Sequence, residues 1–454
     1  MAAQRIVVVG AGFAGLKCVG RLERTLKADI EAGRTEVVLV SPHDYMLYLP
    51  LLPQVAAGVI TAQAVTVSLP RATRRAHRLP GSCVGIDTER RVCVVRKISG
   101  EVIDLAYERL VLTPGSVTRK LDIPGLGEYG LGMKNLAEAA FLRDHVISQL
   151  ELANASTDPA ERAARCQFVV VGGGYAGTET AACLQLLTEA ALTRFPRLDP
   201  GLVRWTLVDI APRLMPELGK RLGEQALELL RRRGVEIRLE TGVREITEDS
   251  VTLDDGSTLP CRTLVWTAGV TASPLVKNLG VELVRGRLKV AADLRVDGLD
   301  GVFALGDAAA VPDLTADDPS SICPPTAQHA TRQAVTAADN VVASLRGEPL
   351  TDYKHHDLGL VVDLGGSQAV AHPLKLELTG LPAQFVTRGY HLLAVPAMRT
   401  RMRIVANWIL HVFGGDDFIR IGFMQSQQGG VDDFEQVGGY LDEAQMRERA
   451  RAVS

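Results

Sequence analysis

Three features of the sequence predict an α/β fold built of two similar units, one inserted in the other, with a separate α+β region at the C-terminal end. First, an apolar strand, a glycine-rich turn and a helical stretch follow one another at RIVVV, GAGFAG and onward to about Ala28, and a second strand, TEVVLV, ends at Ser41. Second, the same order returns as QFVVV, GGGYAG, a helical stretch over about 178–193, and RWTLVD ending at Asp209. Third, another apolar strand, GVFALGDAA at 301–309, arrives only after the second unit has closed near TLVWTAG, and so returns the chain to the first domain. The 454 residues, 46% of them apolar and 23% charged, suffice for two or three folded domains.

Each glycine turn has a physical reading. In the first, Gly10 permits a tight turn, Gly12 lets a backbone approach a pyrophosphate, and Gly15 lets the helix pack on its strand. Gly172, Gly174 and Gly177 fill the same roles in the second. In both, phosphates would sit on a helix N-terminus, where free N–H groups and the dipole favour anions. The units therefore read as Rossmann-like dinucleotide-binding domains. Asp209, ending the second strand of its unit, is placed to accept ribose hydroxyls and repel a 2′-phosphate, which favours NADH over NADPH. The matching position in the first unit is Ser41, followed by Pro42. Its hydroxyl either bonds a ribose or forms a strand-end turn.

Between the units, SCVGIDTERRVCVV and EVIDLAYERLVLTPGS read as β-ribbons. NASTDPAERAA at 154–164 and TADDPSS at 315–321 read as surface loops. From about 360 onward, short apolar strands precede a basic amphipathic helix. That helix sets Met398, Met402, Val405, Trp408, Ile409, Val412 and Phe413 on one face and Arg399, Arg401, Arg403 and His411 mostly elsewhere. Such a face either lies in a bilayer interface or packs on a core or a second subunit.

Several functions are excluded. Fifty Lys plus Arg against 53 Asp plus Glu leave a net charge of −3, so no basic field holds nucleic acid. The seven cysteines form no C-x-x-C pair, so neither a disulfide framework nor a zinc knuckle is suggested, and none falls in 40–58. Cys166 and Cys323 read as a buried hydrophobe and a loop thiol, which leaves sulfide oxidation little support. No metal-ligand spacing occurs, the adjacent His355 and His356 being unable to face one ion from a strand. No run of about 18 uncharged apolar residues suggests a spanning helix, and the N-terminus has no room for a signal peptide before its first strand.

VSPHDYMLYLPLLPQVAAG (40–58), VVVGGGYAGTETA (169–181), VWTAGVTASPL (265–275), GVFALGDAAAVPD (301–313) and PPTAQHATRQ (324–333) together resemble the type II NADH:quinone oxidoreductases, two-dinucleotide-binding-domain flavoproteins, over nearly the whole chain. The resemblance implies an FAD domain at 1–117 and 291–360, an NADH domain at 118–290 inserted in it, and a membrane-association or dimerisation region at 361–454. It implies FAD contacts from Gly10, Gly12, Phe13, Ala14, Gly15, Ser41, Pro42, Thr113, Gly115, Gly306, Asp307, Ala327 and Gln328. NADH contacts follow from Gly172, Gly174, Tyr175, Ala176, Gly177, Asp209, Ala268 and Gly269. Glu179 and Gln328 become the catalytic candidates, Glu179 as a proton relay or as a carboxylate complementing the helix dipole in its first turn.

The family's quinone signature, Ala-Gln-x-Ala-x-Gln, is matched by Ala327, Gln328 and Ala330, but its last glutamine falls on Arg332, with Gln333 one place later. The implied reaction is non-pumping oxidation of NADH by a membrane quinone, with menaquinone expected, by a cytoplasmic enzyme peripheral on the inner face of the cell membrane. Alternatives are a soluble NAD(P)H-dependent flavoprotein reductase serving ferredoxin or another small acceptor, and a flavoprotein whose redox state tunes partner binding.

Overall fold

The computed structural model describes residues 3–415, 417–422, 429–434 and 439–453. Ile6, Val7, Val8 and Val9 are buried, as a β-branched run must be when both faces of its strand are covered. The strand Gln4–Val9 is accordingly central in its sheet. It pairs in parallel with Thr35–Ser41 on one side (Val7 opposite Val38) and Arg109–Leu112 on the other (Val7 opposite Leu110). His77–Asp87 continues the sheet in parallel beyond Thr35–Ser41, and the ribbons Val92–Lys97 and Val102–Ala106 complete that edge antiparallel.

The second unit repeats the plan. Gln167–Val171 lies between Arg204–Val208 and Thr263–Trp266, with Val169 opposite Thr206 and Leu264, and Gly130–Leu131 and Val235–Arg238 close the five-stranded parallel sheet. The chain enters this sheet from Arg109–Leu112 and returns at Val302–Ala304, which pairs with that same strand in the first sheet. Ser116–Thr118 and Val270–Ala272, antiparallel to each other, are the outgoing and returning crossings.

The helix Phe13–Thr25 covers the first sheet and packs on the long helix Ala327–Arg346, to which Arg21 is tied through Asp339 at 2.8 Å. One continuous apolar core runs from the first sheet through the second and reaches Ile404 and Trp408 near the C-terminal end.

Two local expectations change. The stretch 154–164 is not a loop: the helix Leu136–Ala155 ends at Ser156, and Asp158 then caps a new helix, Pro159–Cys166, by accepting from the Ala160 N–H at 2.9 Å. An Asp-Pro pair is an N-cap followed by N1, and that outweighs the polar composition. At the C-terminal end, the sheet of Val361–Asp363, Ala369–Ala371 and Leu378–Thr379 is followed by two helices, Gly380–Ala394 and Met398–Gly414. Trp408 is only 7% exposed and lies with Thr400 and Ile404 on the inner face of the second helix. It does not belong with Met398, Met402, Ile409, Val412 and Phe413, all of which are exposed. Residues four apart share a face, so 400, 404 and 408 define the buried stripe.

Candidate functional site

The two glycine turns are built alike, atom for atom in their bracing. Gly10 (φ +95°) and Gly172 (φ +111°) take backbone conformations open to glycine. A Cβ on Gly15 would run into the Gly10 carbonyl, and one on Gly177 into the Gly172 carbonyl. The Thr113 hydroxyl donates to the Val9 carbonyl at 2.8 Å and also reaches that of Gly10; the Thr267 hydroxyl donates to Val171 at 2.8 Å and reaches Gly172. Thr113 is thus a brace of the turn, its hydroxyl already spent on carbonyls. Thr267 is its counterpart, missed from sequence although Thr-x-Gly recurs at 113–115 and 267–269; Gly115 and Gly269 both have positive φ, and Ala268 lies between Thr267 and Gly269.

Space for ligands lies over each turn. A Cβ on Gly12 or Gly174 would meet nothing within 4 Å. The helices that follow, Phe13–Thr25 and Tyr175–Ala191, have no side-chain cap, whereas Asn135, Asp158 and Thr326 cap theirs. Their leading N–H groups remain available to an anion. Phe13 packs edge-on against Tyr48, Ala14 is buried, and Ala176 is exposed at the second turn. The Tyr175 hydroxyl is buried with no hydrogen-bond partner among the described residues, a polar atom left for something bound there. These features fit two dinucleotides, FAD on the first turn and NADH on the second.

The strand ends differ. Asp209 accepts from the Gly173 N–H and, at 2.6 Å, from the Ala211 N–H, so its carboxylate is fastened beside the second turn. Ser41 is buried, donates to the His43 carbonyl at 3.0 Å and accepts from the His43 N–H at 3.3 Å. Of its two readings the structure supports the turn former, because that hydroxyl has local partners; Pro42 beside it is exposed.

Near the flavin turn, Asp307 accepts from the Ser116 hydroxyl at 2.5 Å, and Lys134 donates to the same hydroxyl at 2.9 Å while standing 4.0 Å from Asp307. Ser116 ends the LTPGS stretch that carries Thr113 and Gly115, whereas Lys134, a single polar residue outside every motif, carried no sequence signal. Gly306 (φ +70°) approaches Ala14 and Ala330 closely enough that a Cβ there would sit 3.6 and 3.4 Å from theirs.

The quinone candidates do not converge. Gln328 donates to the Gly359 carbonyl at 3.3 Å and accepts from the Leu358 N–H at 3.2 Å, so its amide clamps the 358–359 segment. Arg332, four residues on and on the same face, keeps one guanidinium nitrogen buried without a hydrogen-bond partner and lies near enough to Tyr390 to influence its ionisation. Gln333, one residue further, is turned away: it is 2% exposed and accepts from the Gly306 N–H at 2.8 Å. Helical geometry removes Gln333 from the acceptor set and makes it a strut of the flavin loop. Ala327 opens this helix, and His329 in its first turn stacks on His355 with ring centroids 3.7 Å apart.

Glu179 lies in the second turn of its helix, not the first, which removes the helix-dipole reading. Its Oε1 accepts from the Asp363 N–H at 2.8 Å, and burial pushes its carboxyl well above the ordinary carboxylate range, with the Asp363 charge adding to the rise. Burial raises Asp363 too, but donors oppose it: the Gly365 N–H at 2.8 Å, Gln54 at 2.7 Å and Gln384 at 3.3 Å. The donors that oppose the rise are more numerous at Asp363 than at Glu179. Gln54 in turn accepts from the Trp408 indole at 2.8 Å. A cavity of about 340 Å³ lined by Gln54, Asp363, Gln384, Arg388 and His411 joins this cluster to the exposed Phe385 and Val412. Gln54 and Asp363 were missed; the one signal was a glutamine inside the apolar run LLPQVAAG.

All seven cysteines are free and buried, and burial pushes the thiols of Cys18 and Cys261 up to about 12 and those of Cys166 and Cys323 up to about 11. These four thiols are held away from the thiolate form that sulfur chemistry needs.

The sequence profile of the pyridine nucleotide-disulphide oxidoreductase family matches residues 4–334. The chain is 31% identical over 420 residues to the type II NADH:quinone oxidoreductase Ndh of Mycobacterium tuberculosis, covering 89% of this chain and 87% of that one. It is 29% identical over 419 residues to the demethylphylloquinone reductase NdbB of Synechocystis, covering 90% and 96%. A solved structure of NDH2 from Plasmodium falciparum with NADH superposes with a TM-score of 0.83 at 18% identity, over 92% of this chain and 99% of that one, which shows a shared fold.

Proposed function

The chain belongs to the pyridine nucleotide-disulphide oxidoreductase family and within it to the type II NADH:quinone oxidoreductases, and from that membership we propose how its residues carry out FAD-dependent, non-pumping oxidation of NADH by a membrane quinone. The observation that carries the reading is the pair of identically braced glycine turns, each opening on an uncapped helix, in two sheets joined by crossing strands.

FAD, when bound, supplies the two-electron carrier between NADH and quinone. The N–H groups at the start of Phe13–Thr25 hold its pyrophosphate, with Asp307, Ser116 and Lys134 alongside as a polar group of mixed charge. The start of Tyr175–Ala191 and the Asp209 carboxylate hold and orient NADH. The net exchange is NADH + quinone + H⁺ → NAD⁺ + hydroquinone, so one proton must come from solvent. Glu179, protonated and buried beside Asp363, holds that proton, and the cavity that reaches Asp363 past Gln384, Arg388 and His411 gives a route for its replacement. Gln328 and Arg332, on one face of their helix, border the acceptor; the long bonds of Gln328 to 358–359 open when a headgroup takes their place.

Among the described residues no helix is long and apolar enough to cross a membrane. The exposed apolar face of the helices Gly380–Ala394 and Met398–Gly414, with Leu381 and Phe385 on one and Met402 (66% exposed), Ile409 and Phe413 (85% exposed) on the other, lies against the surface of the quinone's own membrane. A second copy of the chain over that face is the competing use, and vesicle flotation of the holoenzyme against its mass in detergent separates the two.

The test is anaerobic bleaching of the yellow holoenzyme by NADH, then reoxidation by water-soluble naphthoquinone and benzoquinone analogues. Both half-reactions are expected; bleaching without reoxidation removes the quinone. Glu179→Gln, which still accepts from the Asp363 N–H, should bleach normally and reoxidise about 10²-fold more slowly. Equal slowing of both halves would take the proton role away from Glu179.

A further inference from the structure

Along the exposed side of the helix Phe13–Thr25 runs an open groove of about 860 Å³, walled by the Tyr45–Met46 and Thr66–Ser68 strands, Arg71, and the end of the helix Gly380–Ala394 with the short linker that leads from it to Met398–Gly414. Its charge is one-sided. Lys17, Arg24, Arg71, Arg399 and Arg403 line it, and Asp44 is the sole acid that does so. Among the described residues none of the five cations has a carboxylate within ion-pair distance, although elsewhere arginines and lysines are widely paired, as Arg21 is with Asp339, Arg75 with Glu31 and Arg109 with Glu108. In a chain of net charge −3 such a gathering is not background. The sixth cation at the groove, Arg401, is already bonded to the Val395 and Leu393 carbonyls.

The groove also has exposed apolar side chains in its wall and on the helix that carries Arg399 and Arg403. Leu393, in its wall, is 75% exposed, and Met398 and Met402 follow on the adjoining helix at 66% each. Its floor is open at Gly20, where a Cβ would meet nothing within 4 Å. A free oxyanion has no use for the apolar wall, and a purely apolar molecule has none for five unpaired cations. A ligand with a phosphate at one end and hydrocarbon at the other uses both.

We propose that this groove is a headgroup site for an anionic glycerophospholipid, its phosphate among Lys17, Arg24, Arg71, Arg399 and Arg403 and its acyl chains on Leu393, Met398 and Met402. The proposal rests on the membrane-contact reading above and adds a charge preference and a site to it. The groove reaches the cofactor turn at Phe13, but its cations Lys17 and Arg24 lie further along the exposed side of the first helix, beyond the N-terminal end that the cofactor takes.

The experiment measures binding of dihexanoylphosphatidylglycerol, below its micelle concentration, to the holoenzyme, with dihexanoylphosphatidylcholine and inorganic phosphate in parallel arms. Saturable binding of the anionic lipid alone is expected. Arg71→Glu and Arg399→Glu should each weaken it by at least roughly fivefold, the contribution of one cation near a lipid surface. Gly20→Leu, which fills the floor without changing charge, should weaken it likewise while NADH bleaching is unchanged.

Equal binding of the choline lipid, displacement by inorganic phosphate at similar concentration, or binding indifferent to all three substitutions each overturns the proposal. In a vesicle arm, preference for phosphatidylglycerol over phosphatidylcholine that Arg399→Glu abolishes supports it. Equal binding to both vesicles overturns it and leaves the membrane reading standing. No binding to either vesicle ends the membrane reading, and the short-chain measurement then decides the groove by itself.

Discussion

Asp209 acts through backbone as well as through charge, since its carboxylate fastens the Gly173 and Ala211 N–H groups before any nucleotide arrives. Asp209→Ala should raise KM for NADH roughly 10- to 100-fold, the loss of one charge-assisted hydrogen bond, and narrow the preference over NADPH. Steady-state kinetics with both nucleotides checks this; an unchanged preference would place the ribose elsewhere. Single residues of this kind are legible because strand-end acids have a fixed relation to the glycine turn. Ser41 shows the limit. From sequence its hydroxyl had two uses, and only the positions of the His43 N–H and carbonyl chose between them.

Among the elements, the Met398–Gly414 helix is held by a narrow inner stripe. Thr400 donates to the Thr66 carbonyl at 3.0 Å, Ile404 is fully buried, and Trp408 donates to Gln54, which also donates to Asp363. Gln54→Leu leaves both the indole N–H and one Asp363 oxygen without that partner in a buried site, which costs about 2–4 kcal/mol. A lower melting temperature, with tryptophan emission shifted to the red and faster cleavage in the 395–397 linker, is expected. An unaltered emission maximum would mean that Trp408 stays docked without Gln54. Periodicity alone put Trp408 on the apolar outer face, because two apolar stripes on one helix look like one wide stripe until the partner of each is known. Asp158-Pro159 likewise hid a helix inside a polar stretch.

Over the whole molecule, buried histidines set the acid limit. His145, beside the Arg262 carbonyl and Thr263, and His391, hydrogen-bonded to the Tyr48 hydroxyl, are both held down to about 4 by burial. Their unfolded pKa is near 6.5, so between those values the unfolded chain binds more protons than the folded one. Stability present above about pH 6.5 is therefore lost as pH falls toward 4, by up to about 3 kcal/mol for each histidine. Glu179 runs the other way: its raised pKa costs stability as pH rises above the ordinary carboxylate range. Calorimetry from pH 7 to pH 4.5 should show a falling melting temperature, and His391→Gln, which keeps an acceptor for Tyr48, should flatten the fall. An identical slope in that variant would clear His391 of the effect.

The repeat of strand, glycine turn and helix, the nesting of one unit in the other, and the two nucleotide positions were all determined by the sequence itself. These depend on local rules of backbone sterics and periodicity that act within a few residues. Tertiary structure alone decided which residues meet across long separations: Gln54 with Asp363 and Trp408, Glu179 with the Asp363 backbone, Lys134 with Ser116, and Gln333 with Gly306. Those meetings are set by how the C-terminal sheet and helices dock on the two domains, and a pattern confined to one segment carries no trace of the surface that segment will cover.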